Sequence, residues 1–130
     1  MIYGIGTDII EVDRIRKTME ADPGFKQGIF TAAEITYCES KAYKYQHFAA
    51  RFCAKEAVLK ALGLGINHAV KLTDIEVFND TTGRPLIRLT GTAKDFSRNI
   101  GFLKILVSLS HLKDIAKAVV IIEKEDNREY

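Results

Sequence analysis

The chain has 130 residues, 47% of them hydrophobic and 28% charged, which fits one folded domain over residues 1–130 and excludes an intrinsically disordered chain. A net charge of only +2 argues against a duplex nucleic-acid binder, so basic residues act locally if they act at all. Cys38 and Cys53 sit in apolar helical patterns and read as buried free thiols of a reducing cytoplasm. No window approaches the apolar length of a membrane span, and Met1-Ile2-Tyr3-Gly4-Ile5 lacks the basic and apolar regions of an export signal.

Residues 2–9 alternate as a strand. Ile5, Thr7 and Ile9 point one way; Gly4, Gly6 and Asp8 point the other. Glycine in a strand marks close approach, either by a ligand or by a helix packed against it, and the pattern alone does not choose. A helix follows over residues 12–20, with Val12, Ile15 and Met19 as its apolar stripe and Arg14, Arg16 and Lys17 facing outward. Asp22-Pro23-Gly24 stops it. Residues 25–30 form a short apolar turn. Thr31-Ala32-Ala33-Glu34 is a capping box that launches a helix over residues 32–43. A bend over residues 41–46 precedes a helix from His47 to Leu62, which Gly63-Leu64-Gly65 ends. Strands at 72–78 and 86–90 flank a turn-rich hairpin loop. A helix over 92–100, capped by Thr92, comes next. Strands at 102–111 and 115–125 complete the chain, and the continuous apolar run 119–122 predicts a strand covered on both faces. The tail from 126 to 130 is expected to fray. The class is α+β: an N-terminal strand, then helices, then mostly antiparallel strands with one further helix.

The central helix carries the most information. Arg51-Phe52-Cys53-Ala54-Lys55-Glu56-Ala57-Val58-Leu59-Lys60-Ala61-Leu62-Gly63 is apolar almost all the way round, so it belongs in the interior. Yet it bears Arg51, Lys55, Glu56 and Lys60, and buried charges are costly unless paired or bound to something charged. Glu56 with Lys60 is a favourable i,i+4 pair of only about 0.2–0.5 kcal/mol, whereas Arg51 and Lys55 are like charges one turn apart. Phosphate oxygens would offset that repulsion. Asp8 and Glu56 are together the kind of carboxylate pair that magnesium takes beside substrate phosphates. His47, His68 and His111 show no zinc-ligand spacing. A structural oligomer held by ion pairs and a non-catalytic binder of a nucleotide are the alternatives.

Gly4-Ile5-Gly6-Thr7-Asp8-Ile9 and Arg51-Phe52-Cys53-Ala54-Lys55-Glu56-Ala57, continuing through Lys60-Ala61-Leu62-Gly63, resemble the motifs of one family. Phe30-Thr31 with Glu34 and Cys38, Gly83-Arg84-Pro85 and Ser108-Leu109-Ser110-His111 match it too, in the family's order. The family is the holo-[acyl-carrier-protein] synthases, small bacterial 4'-phosphopantetheinyl transferases. The resemblance implies magnesium-dependent transfer of the phosphopantetheine arm of coenzyme A to a serine of apo acyl carrier protein, releasing adenosine 3',5'-bisphosphate, in support of fatty acid biosynthesis. It implies that Asp8 and Glu56 bind the metal and that Glu56 and Lys60 serve catalysis. It assigns Arg51, Lys60, Gly63, Gly83, Pro85 and His111 to coenzyme A, with Arg51 and His111 on its 3'-phosphate, and Lys55 to a phosphate of coenzyme A or to an ion pair. It gives Arg14, Arg16 and Lys17 to docking of the acidic carrier protein. It further implies a cytoplasmic homotrimer with coenzyme A at the subunit boundary. Cys53 departs from the family's usual alanine, and Leu112 stands where a hydroxyl residue is frequent.

Overall fold

In the computed structural model, which describes residues 1–101 and 103–125, the chain is built around one long helix laid across a sheet. Strand β1 (Ile2–Glu11) runs straight into helix α1 (Val12–Ala21). The short α2 (Phe25–Ile29) and α3 (Ala32–Glu39) follow, and then the central α4 (Lys44–Ala61). A single 3-10 turn (Leu72–Asp74) leads into the hairpin β2 (Ile75–Asn79) and β3 (Pro85–Leu89). Helix α5 (Gly91–Ile100) precedes the hairpin β4 (Leu103–His111) and β5 (Ile115–Lys124). The α+β order matches the sequence reading. The expected strand start at residue 102 and the expected fraying of 126–130 lie outside the described residues.

The main sheet is antiparallel with order β1-β5-β4, and β2-β3 form a separate pair. Gly4, Gly6 and Asp8 of β1 lie on the face that receives α4. A Cβ at Gly4 would land on the Ala61 carbonyl oxygen, and one at Gly6 on that of Ala57. The glycines are there because the helix backbone is, which settles the even choice in favour of helix packing. Ala116, Ala118, Val120 and Ile122 of β5 are buried beneath the same helix, with Phe48, Cys53, Ala54, Ala57 and Val58 above them. Small residues on both sides let helix and sheet approach closely.

The opposite face of this sheet has no cover among the described residues. Ile5 and Ile9 are 66% and 63% exposed, and Val119 and Ile121 on β5 are only half-buried. Among the described residues the apolar run 119–122 is therefore covered on one face, by α4, and not on two.

Several boundaries differ from expectation. Helix α3 ends at Glu39, and α4 begins at Lys44, because only residues 40–43 form the turn between them. The cap position of α5 is Thr90, and the Thr92 hydroxyl instead donates to Asp74 Oδ2 at 2.6 Å. The capping box forms as predicted: Thr31 accepts from the Glu34 amide at 3.2 Å, and Glu34 Oε1 accepts from the Thr31 amide at 2.8 Å. Gly63, at φ 79°, supplies the left-handed residue after α4.

Candidate active site

The crossing of β1 and α4 brings Asp8, Glu56 and Lys60 together. Lys60 does not pair with Glu56 as the i,i+4 alternative supposed. Its Nζ reaches across to Asp8 Oδ1 at 3.2 Å and donates to the Thr7 carbonyl at 2.9 Å. Glu56 is half-buried and its pKa is raised, first by burial and then by the negative charge of Asp8. Two acids that repel each other could hold a cation between them. Among the described residues no cluster of three His, Cys, Asp or Glu exists. That donor set suits a hard ion that completes its shell with water and substrate oxygens, and it does not suit zinc. Glu56 and Lys60 open onto a cleft of about 410 Å³ that includes Leu64, Gly65 and His68.

A second cluster lies at the other end of α4. Arg51 is 3% exposed, donates from Nη2 to Asn79 Oδ1 at 2.7 Å, and lies 3.9 Å above the Tyr37 ring. Its Nε is buried with no hydrogen-bond partner among the described residues. Asn79 in turn donates to the Gly83 carbonyl at 2.9 Å, so Arg51 is tied to the loop that runs to Pro85. Gly83 needs its φ of 88°, and Asp80 Oδ1 holds the loop by accepting from Thr82 and Arg84. His111, at the end of β4, meets His47 of α4 edge-on with ring centroids 5.4 Å apart. His47 meets Tyr37 at 5.8 Å. The structure thus gathers Arg51 and His111 around Tyr37 and His47, which the sequence reading left out. His47 lies one turn before Arg51 on the same helix, and that spacing was the available signal.

Lys55 is a correction. It faces neither Arg51 nor solvent. It is fully buried, pairs with Glu34 Oε1 at 2.7 Å, and donates to the carbonyls of Leu72 at 2.9 Å and Ile75 at 2.5 Å. Its three donors are used inside the protein, so none remains for coenzyme A. Burial lowers its pKa, and the Glu34 carboxylate opposes that shift. Glu34 Oε2 also accepts from the Val77 amide at 2.9 Å, so the pair anchors β2 to α3 and α4.

On α1 the three basic residues divide. Arg16 pairs with Asp13 at 2.5 Å and Glu20 at 3.1 Å, and Lys17 pairs with Asp13 at 3.1 Å. Arg14 is exposed and has no ion pair among the described residues. Both cysteines are buried free thiols, and burial pushes each pKa up to about 12, so neither is a nucleophile at neutral pH.

A family model, the 4'-phosphopantetheinyl transferase superfamily, matches residues 4–120. The chain belongs to that superfamily. Within it, the chain is 49% identical to the holo-[acyl-carrier-protein] synthase of Ruminiclostridium cellulolyticum, over 95% of this chain and 93% of that relative. The solved holo-(acyl-carrier-protein) synthase of Bacillus anthracis, in complex with CoA (3',5'-ADP), superposes with a TM-score of 0.79 at 35% identity, covering 96% of this chain and 99% of that one. The synthase of Neisseria meningitidis gives 0.85 at 34% identity, covering 95% and 100%. In this transferase, then, the fold is the one these synthases share. No helix among the described residues is long and apolar enough to cross a membrane.

Proposed function

We propose that this chain is a holo-[acyl-carrier-protein] synthase that moves the 4'-phosphopantetheine of coenzyme A onto a serine of apo acyl carrier protein, as a magnesium-dependent cytoplasmic homotrimer serving fatty acid biosynthesis. The observation that carries the reading is the convergence of Asp8, Glu56 and Lys60 where β1 crosses α4, with Glu56 and Lys60 lining a cleft.

Asp8 and Glu56 would hold magnesium, which when bound neutralises charge on the diphosphate of coenzyme A. The serine oxygen forms a bond to the β-phosphorus, and the bond from that phosphorus to the bridging oxygen breaks. Adenosine 3',5'-bisphosphate leaves with the electron pair. The serine proton passes through a water to the Glu56 carboxylate. Lys60, on giving up Asp8, would donate to the oxygens that gain charge. Arg51 and His111 take the 3'-phosphate, with the guanidinium already desolvated and short of a partner at Nε. Gly63, Gly83 and Pro85 border the nucleotide. Arg14, which has no ion pair among the described residues, leads the docking of the acidic carrier protein, with Arg16 and Lys17 behind it.

The trimer is supported by the uncovered sheet face, where Ile5 and Ile9 stand beside Val119 and Ile121. The test is mass spectrometry of apo carrier protein incubated with the chain, coenzyme A and magnesium. A gain of one phosphopantetheine is expected. Binding of coenzyme A without a gain would make the chain a binder only.

A further inference from the structure

The cations at the Arg51 end of α4 outnumber what the proposed phosphate seat needs. Four side chains converge there from three parts of the chain. Arg51 and His47 come from α4, His111 from the end of β4, and Lys41 from the turn after α3. Tyr37 of α3 is the hub: Arg51 lies 3.9 Å and Lys41 Nζ 4.7 Å from its ring centroid, and His47 stands edge-on at 5.8 Å. His111 closes the group against His47 at 5.4 Å. The charged groups acting on His47 are His111, Arg51 and Lys41, and no carboxylate is among them. Of the acids on α3, Glu39 is engaged with Lys26 at 3.2 Å and Lys44 at 3.4 Å, and Glu34 with Lys55.

We infer that His47 is a further member of the phosphate seat, and that it takes up a proton when the 3'-phosphate monoester of coenzyme A binds. This rests on the proposed reading of Arg51 and His111. In the free protein, burial and then the neighbouring cations hold the His47 pKa below the usual imidazole range. A phosphate dianion reverses the sign of the local field and raises that pKa. Between the free and bound values the complex holds one more proton than its parts. Affinity for coenzyme A is therefore greatest at the acid end of that window and falls as pH rises through the bound-state value. Dephospho-coenzyme A, lacking the monoester, feels none of this. The ring stays in place because Tyr37 and His111 pack its two sides, so a phenyl group can replace it without opening a cavity.

The test is the dissociation constant of coenzyme A and of dephospho-coenzyme A by calorimetry from pH 6.5 to 8.5, on the wild type, His47→Phe and His47→Gln. Proton uptake is read from buffers of different ionisation enthalpy. The wild type should lose about tenfold more affinity for coenzyme A across that range than either variant, the equivalent of one unit of pKa. Both variants should take up fewer protons, and dephospho-coenzyme A should not distinguish the three proteins. The titration of the phosphate itself is common to all three and cancels. Parallel profiles with equal proton uptake would overturn the role of His47 and leave the seat intact. A wild type that binds both ligands equally would remove the seat, and this inference with it.

Discussion

Glu56 pays for its position in the resting protein. Burial and Asp8 both disfavour its charged form, so its folded pKa lies above the unfolded value. Its protonated form is the one the fold prefers, and stability tied to that proton is lost as pH rises through the folded pKa. Glu56→Gln removes the cost and keeps the shape. Without metal, the variant should melt above the wild type at neutral pH. Its magnesium-dependent transfer should fall by about 10²-fold or more, because a metal carboxylate supports several kcal/mol of transition-state charge. Calorimetry in chelator and the carrier-mass assay read the two effects; a lower Tm would refute the electrostatic account. Lys55 makes the opposite case. Lys55→Met strands the Glu34 carboxylate in the interior, and breaking one side of a buried pair costs about 3–5 kcal/mol. Adding Glu34→Gln removes the stranded charge and should restore part of the loss. Denaturant titration of the singles and the double measures the coupling, and additive losses would show that the two side chains do not act as a pair.

Among the elements, β1 and α4 act as one unit. Gly6→Ala puts a methyl group on the Ala57 carbonyl oxygen, and the strand must move to relieve it. Overpacking of this kind costs about 1–3 kcal/mol. Because Asp8 follows two residues later, activity should fall more than stability does, which turnover measured beside Tm will show. Helix α1 makes a separate prediction. Arg14→Glu should raise the KM for carrier protein by about tenfold and leave that for coenzyme A unchanged, with the difference shrinking in high salt. Equal effects on both substrates would argue against docking on α1. The contrast between local and distant contacts explains what the sequence revealed. The capping box at Thr31, the glycine stop at Gly63 and the buried character of α4 are written within a few residues of each other, so spacing alone disclosed them. The partners of the charges on α4 are not. Lys60 finds Asp8 across 52 positions, and Arg51 finds Asn79 across 28. Periodicity carries no information about such pairs. Lys55 was misassigned for this reason: its partner Glu34 already had a local role as the far end of the capping box, and nothing in the spacing showed that its second oxygen turns inward to Val77.

At the scale of the molecule, the outstanding feature is the bare side of the β1-β5-β4 sheet. Ile5 pairs with Ile121, and Ile121 with Leu106, so one row across the three strands is aliphatic. Ile9, Thr7 and Val119 extend it toward β1, which is also an unpaired edge of the sheet. An exposed aliphatic row beside a free edge invites aggregation unless copies of the chain cover it specifically. Closed association would bury it and place a neighbour beside Asp8, whose side chain rises from the other face of the same strand. Ile5→Asp with Ile9→Asp puts two charges at the centre of that surface without touching the core beneath α4. The double variant should sediment as a monomer, keep the circular dichroism of the wild type, and bind coenzyme A at least tenfold more weakly if a neighbour completes the site. A monomer that binds and transfers as well as the wild type would mean that each copy holds a complete site. An unchanged trimer would mean that the subunits meet elsewhere and that this face serves another contact.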